Sequence, residues 1–261
     1  MRTAIVIPCF NEAQRIHRED FTKFLATSPA ASLLFVNDGS TDRTLEVLLD
    51  LQMAIGLQAE VLNLRINRGK AEAVRRGLMR AVDIPGIEIV GFWDADLSTP
   101  LLAVEDFTRI LASRPDIQMV FGSRVRLLGR DIERRASRHY LGRMFATAAS
   151  MVLALPIYDT QCGAKLFRVN KLLVEVLRTP FCSRWIFDVE LIARFFEMYR
   201  HDDLRAKTAI YEFPLDKWTD VAGSKVSPRD FIAAALELVQ IYRKHRKHKF
   251  GPSKRPETVQ S

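Results

Sequence analysis

Cysteine is scarce: three occur in 261 residues, at Cys9, Cys162 and Cys182, and no two form a C-x-x-C pair. Neither a disulfide framework nor a cysteine-built zinc site is supported, and a reducing cytoplasm fits. Long apolar runs are also missing. The longest stretch without a charge, residues 144–158, has 15 residues and contains Pro156. A membrane-spanning helix needs roughly 20 apolar residues, so a soluble or peripheral protein is expected. The apolar stretch in "MRTAIVIPCFNE" is too short for a signal peptide. No repeat or low-complexity block is visible. The GxxxxGK[ST] spacing of a P-loop is absent, and no GxGxxG follows the first apolar run. Acid is lacking in one place: "RKHRKHK", residues 243–249, has none.

What is present is a chain that is 48% hydrophobic, with a net charge of +8. That supports a sizeable α/β core and an anionic partner. The basic clusters lack interleaved aromatics and match no nucleic-acid motif, which sets nucleic acid aside. "TAIVIP", "SLLFVND", "AEVLNL" and "IEIVGFWDAD" read as strands, with helices predicted around residues 15–27, over "DRTLEVLLDLQMAI" (capped by Ser40 or Thr41) and over "NRGKAEAVRRGLMRAV". This alternation predicts a mostly parallel sheet whose ligands bind at the carboxyl ends of the strands. Later, "IQMVFGSR" and "AIYEFPLDKW" read as strands, "DTQCGAKLFR" as a partly polar, Gly-bearing segment, and "RWIFDVELIARFFEMY" as a helix. The segment 227–250 is expected to form a basic amphipathic helix, capped by Ser227, docking through Phe231, Ala234, Leu238 and Ile241 on the main domain over 1–226. Residues 251–261 are expected to be a disordered tail.

The strand ends carry the chemistry. Asp94 and Asp96 lie one residue apart after a buried run. Two such carboxylates repel unless something positive stands between them, and oxygen ligands of this kind suit Mg²⁺ or Mn²⁺. Asp38 follows a strand directly and can accept hydrogen bonds from a base or ribose. Arg68, Gly69 and Lys70 open a helix, a setting suited to an anion.

"IVIPCFNEAQRI", "VNDGSTDRT", "NRGKAEAVRRG", "DADLSTP" and "FGSR" occur in the order and near the spacing of family 2 nucleotide-sugar glycosyltransferases, which this chain resembles over roughly residues 3–125. "YDTQCGAKLFR" and "RWIFDVELIARF" are similar to the dolichyl-phosphate β-glucosyltransferase branch, close to polyprenyl-phosphate mannose and glucose synthases. The resemblance implies the GT-A fold, with a donor half to about residue 125 and an acceptor half over 126–226. It implies that Pro8, Asn11, Glu12, Asp38, Gly69 and Lys70 line the donor pocket, that Asp94 and Asp96 bind the metal, and that Arg124 reaches the phosphates or sugar. It places the loop carrying Gln161 beside the donor sugar. The implied donor is UDP-glucose, or GDP-mannose in the alternative. The acceptor is a polyprenyl phosphate, or alternatively a glycan or protein hydroxyl.

A hydroxyl acceptor requires a general base, for which Asp159 and Asp188 are the candidates; a phosphate does not, being already an anion. Gln161, Lys165 and Arg168 are assigned to the acceptor. Residues 124–143 hold seven arginines against Asp131 and Glu133. Arg130, Arg134, Arg138 and Arg143 are expected to share a helix flank against an anionic cytoplasmic membrane face. A membrane-protein partner is the alternative way of holding the protein there, and homodimer contact is the alternative role for the 227–250 helix.

Overall fold

The computed structural model describes residues 1–133, 136–184, 186–199, 202–221 and 228–245. The expectations for Arg134, Ser227 and the tail fall outside these residues, as do the side chains of Arg138 and Phe231.

In chain order the elements are β1 (Thr3–Cys9), α1 (Arg18–Thr27), β2 (Ala31–Asp38), α2 (Thr44–Ile55), β3 (Ala59–Leu64), α3 (Lys70–Val82), β4 (Ile89–Trp93), α4 (Ala103–Ser113) and β5 (Met119–Ser123). Then come β6 (Asp131–Glu133), α5 (Ala136–Leu153), β7 (Ala164–Arg168), α6 (Lys171–Leu177), α7 (Phe187–Glu197), α8 (Asp203–Thr208), β8 (Ile210–Pro214), β9 (Lys217–Thr219) and α9 (Pro228–His245). Seven strands form one sheet in the order β3-β2-β1-β4-β7-β5-β8, and β6 pairs with β9 apart from it. β1 to β4 are parallel neighbours, as are β5 and β8. β7 alone runs antiparallel, between β4 and β5.

The strands read as unbroken apolar runs because both faces of the sheet are covered. Along β1, Ala4 and Val6 face a core shared with α3, α6 and α7, while Ile5 and Ile7 face a core shared with α1, α2 and α4. On the second face Phe107 packs against Trp93 and Phe213, ring centroids 5.3 Å away in both cases. Full burial of such a ring contributes roughly 2–3 kcal/mol. α9 packs on α7 and α5, with Ala234, Leu238 and Ile241 buried.

Three local expectations are corrected. "DTQCGAKLFR" supplies a strand, β7, because Ala164, Leu166 and Phe167 are wholly buried and the buried Lys165 ammonium finds a carboxylate. α2 begins at Thr44, whose amide donates to the Asp42 carboxylate at 2.9 Å. Ser40 and Thr41 serve Asn11 instead: the Asn11 amide donates to Ser40 Oγ (3.1 Å), and the Thr41 amide donates to Asn11 Oδ1 (2.9 Å). Arg130 precedes β6 and pairs with Asp216, so it is not on the helix that carries Arg143.

Candidate functional site

Parallel strands share a rim at their carboxyl ends. β7 runs the other way, so its first residue, Ala164, lies beside Trp93 at the end of β4. Asp38, Asp94, Gly163 and Arg124 therefore meet at one rim. Arg168 pairs with Ile89 at the opposite rim, where it donates to the carbonyls of Leu111 (2.6 Å) and Ile117 (3.3 Å). It does not join the cluster.

The first loop is built around Asn11, which adopts φ 53°. That left-handed conformation is held by the Ser40 and Thr41 bonds above. The Glu12 amide donates to Thr44 Oγ1 at 2.8 Å. The turn after β2 needs a glycine at residue 39: φ is 63°, and a Cβ there would collide with the Ile66–Asn67 backbone. That close approach lets the buried Asp38 carboxylate accept the amides of Arg68 and Gly69, both at 2.8 Å. Burial pushes the Asp38 carboxyl upward, against the pull of those two amides.

The carboxylates of Asp94 and Asp96 each hold a separate cation. Lys70 Nζ lies 2.5 Å from Asp94, and Arg15 lies 3.3 Å from Asp96 and 3.2 Å from Glu12. Desolvation pulls the Lys70 ammonium down, but Asp94, Asp188 and Asp96 outweigh it and hold it above its ordinary value. The Asp94 amide donates to the Gly163 carbonyl at 2.9 Å, and any Cβ on Gly163 would run into the Asp94 carboxylate. Among the described residues no group of three acidic, histidine or cysteine side chains converges on one point. Two oxygen donors already gathering cationic groups fit a hard divalent ion that takes its other ligands from water and a diphosphate.

Behind this rim sit two further ion pairs. Arg124 grips Asp159 through Nε (2.6 Å) and Nη2 (2.8 Å), and its amide donates to the same carboxylate at 3.1 Å. Glu212 fixes the loop by accepting the amides of Tyr158 and Asp159 at 2.9 and 2.7 Å. Lys165, fully buried, reaches Asp188 at 2.7 Å and donates to the carbonyls of Cys162 (2.7 Å) and Thr160 (3.1 Å). Lys165 therefore faces inward rather than toward an acceptor, and Asp188 is its buried partner. Burial pushes the Asp188 carboxyl up, opposed by Lys165 and Lys70. Burial also raises the thiols of Cys162 and Cys182 to about 11 and pushes that of Cys9 further up, which leaves all three protonated near neutrality.

Alongside the Asp159 loop lies a cavity of ≈ 270 Å³ lined by Arg143, Thr147, Ser150 and 156–158. The Arg143 guanidinium stacks on the Tyr158 ring, 3.7 Å from its centroid. Arg15 and Glu212 were missed in the sequence. Arg15 stands three residues after Glu12, a spacing for pairing within one turn, and Glu212 is a lone acid in an otherwise apolar strand.

The model of glycosyl transferase family 2 matches residues 4–173. The chain belongs to that family. It is a glycosyltransferase, and its sheet is that of the GT-A fold. Among curated proteins this family 2 transferase is similar to the dolichyl-phosphate beta-glucosyltransferase of Saccharomyces cerevisiae, 30% identical over 91% of this chain and 73% of that protein. It is 29% identical to the enzyme of the same description in Dictyostelium discoideum, again over 91% and 73%. Among solved structures it superposes on glucosyl-3-phosphoglycerate synthase from Mycobacterium tuberculosis, crystallised with Mn²⁺, UDP and glucosyl-3-phosphoglycerate. The TM-score there is 0.65 at 19% identity, over 93% of this chain and 79% of that one.

Proposed function

We propose that the chain transfers glucose from UDP-glucose to a polyprenyl phosphate of the dolichyl type, with inversion at the anomeric carbon, at a cytoplasmic membrane surface. The likeness to dolichyl-phosphate beta-glucosyltransferases over nine-tenths of the chain carries this reading. Its donor residues, Pro8, Asn11, Glu12, Asp38, Gly69 and Lys70, lie along the same set of strand ends.

Asp38 retains lone pairs for an N–H of the base after accepting its two amides. Asp94 and Asp96 would hold a Mg²⁺ or Mn²⁺ ion, which supplies Lewis-acid neutralisation of the charge that builds on the leaving diphosphate. Lys70 and Arg15 already stand beside those carboxylates and bring fixed positive charge to the same place. Arg124 is aimed across the rim by Asp159. Neither Asp159 nor Asp188 is disposed as a general base, since Arg124 occupies one and Lys165 the other. A phosphate acceptor needs no base, because it arrives ionised near neutral pH. In this reading Arg143, in the cavity alongside Tyr158, replaces Lys165 and Arg168 as the cation that meets it.

Peripheral contact fits the outer surface. Met144 and Met151, one heptad apart on α5, are 71% and 72% exposed, and Leu128 stands fully out in the Arg-rich segment. Apolar side chains among arginines suit the interface of an anionic bilayer. Among the described residues no helix is long and apolar enough to cross a membrane.

The test is UDP release from UDP-glucose with Mg²⁺ or Mn²⁺ and polyprenyl phosphate in detergent. Turnover that chelation abolishes is expected. Release only from GDP-mannose, or only with a hydroxyl acceptor, overturns the substrate assignment.

A further inference from the structure

The segment between α6 and α7 is held from behind by two acids. Glu190, wholly buried in α7, accepts the amides of Cys182 (2.8 Å) and Ser183 (3.1 Å) and pairs with Arg194 (2.7 Å) and with Lys244 of α9 (3.1 Å). Glu237 of α9 accepts the Ser183 hydroxyl at 2.5 Å and the amides of Arg184 and Ile186, each at 3.3 Å. Arg194 adds bonds to the carbonyls of Thr179 and Pro180, both at 2.7 Å. A loop with this many of its amides and carbonyls engaged is fixed in place, although it lies outside every strand and helix.

Held in this way, the loop carries Arg184 across to the start of α3. Its Nε and Nη2 stand 3.5 and 3.6 Å from where a Cβ on Gly69 would lie. The Gly69 amide is bonded to Asp38, and the Arg184 charge acts favourably on that same carboxylate. The guanidinium thus stands over the outer face of Gly69, on the same side as the Asp38 carboxylate that its charge favours.

We infer that Arg184 forms the outer wall of the donor-nucleoside pocket, and that Glu237 of α9 is a positioning residue acting through it. This deepens the proposed use of a nucleotide sugar and rests on that reading. A carboxylate accepts an N–H, and a planar guanidinium stacks on a ring or donates to its carbonyls. Together they complement a base that presents an N–H next to carbonyl oxygens, as uracil does. Through Glu237, α9 thereby sets donor affinity.

The experiment is calorimetric titration of UDP with Mn²⁺ into the full chain and into R184A, E237A, S183A, the double variant R184A/E237A and D38A, alongside KM and kcat for UDP-glucose. R184A is expected to weaken UDP about tenfold, as befits loss of a charged contact. E237A and S183A should weaken it by a smaller factor, with the change falling on KM for the nucleotide sugar rather than on kcat. In the R184A background E237A should add nothing further, because its effect passes through the missing side chain. UDP affinity undisturbed in R184A, or an E237A effect that persists in full without Arg184, overturns the inference. S183A, which removes a single hydroxyl, carries the comparison if E237A does not fold. D38A separates the two ideas: parental UDP affinity in D38A overturns the donor site itself, whereas weakened binding in D38A with parental affinity in R184A overturns only the wall.

Discussion

Lys165→Met is the sharpest perturbation of the charge array. The ammonium is wholly buried, 2.7 Å from an Asp188 side chain that is 7% exposed, and it also satisfies two backbone carbonyls. Methionine keeps an unbranched apolar stem one atom shorter and removes the ammonium with its charge and donors. Asp188 is then left as a buried anion whose nearest counter-charge is Lys70. Breaking a buried pair from one side costs about 3–5 kcal/mol. For a chain of this size each kcal/mol lowers Tm by about 2–4 °C, so a fall on the order of 10 °C is expected. Lys70 should also be drawn from Asp94 toward Asp188, which lowers kcat/KM beyond any loss of folded protein. Differential scanning fluorimetry and circular dichroism report the first effect, and UDP release at a temperature where the variant is folded reports the second. Replacing both partners, in K165M/D188L, should recover much of the lost Tm, since a matched apolar pair carries no stranded charge. A single variant melting within about 2 °C of the parent, well under the 3 kcal/mol floor, would refute the view that this pair is ionised and structural.

The other predictions concern the rim and the α9 anchor. Gly163→Ala should leave the melting curve close to the parent's while reducing kcat about 10²-fold, because the added Cβ pushes the Asp94 carboxylate out of place and displacements near 1 Å cost that much; unchanged kcat would show that Asp94 need not stay where it is. Burial pushes the Glu190 carboxyl up, yet the Cys182 thiol, Arg194 and the Ser183 amide outweigh it and hold it at about 2. Since an unfolded glutamate titrates near ~4.3, the stability this ion contributes is present above that pH and is lost as pH falls toward 2. Thermal melts from pH 6 to 3 should therefore fall more steeply for the parent than for E190Q, and equal slopes would contradict the assignment.

The parallel first half of the sheet was legible because its signals are local. Each of the first four strands is a short apolar run ending in a polar motif, and parallel pairing then brings those motifs to one rim without further information. β7 was not legible. Its pattern is broken by a lysine whose charge is cancelled by Asp188, 23 positions further on, and nothing local announces that partner. The same blindness sent Lys165 and Arg168 to the acceptor: a cation in a sequence does not disclose whether it faces in, out or toward the opposite rim. Asp94 and Asp96 did ask for positive charge, and the sequence reading assigned it to a metal ion. The structure adds Lys70 and Arg15 as resident counter-charges, two side chains that fold back from separate segments.

The reversed direction of β7 has a consequence for how such an enzyme diversifies. The carbonyl of Gly163 receives the Asp94 amide, so the stretch from Tyr158 to Gly163 is physically tied to Asp94; in the proposed function the same stretch is the wall on the acceptor side. Under that proposal, sequence drift in the stretch would change which acceptor is admitted and retune the reactive centre in the same stroke. Drift beyond Arg168, on the opposite rim, reaches neither. Transplanting 158–163 between relatives is thus the shortest exchange that tests whether acceptor choice and turnover can be inherited together.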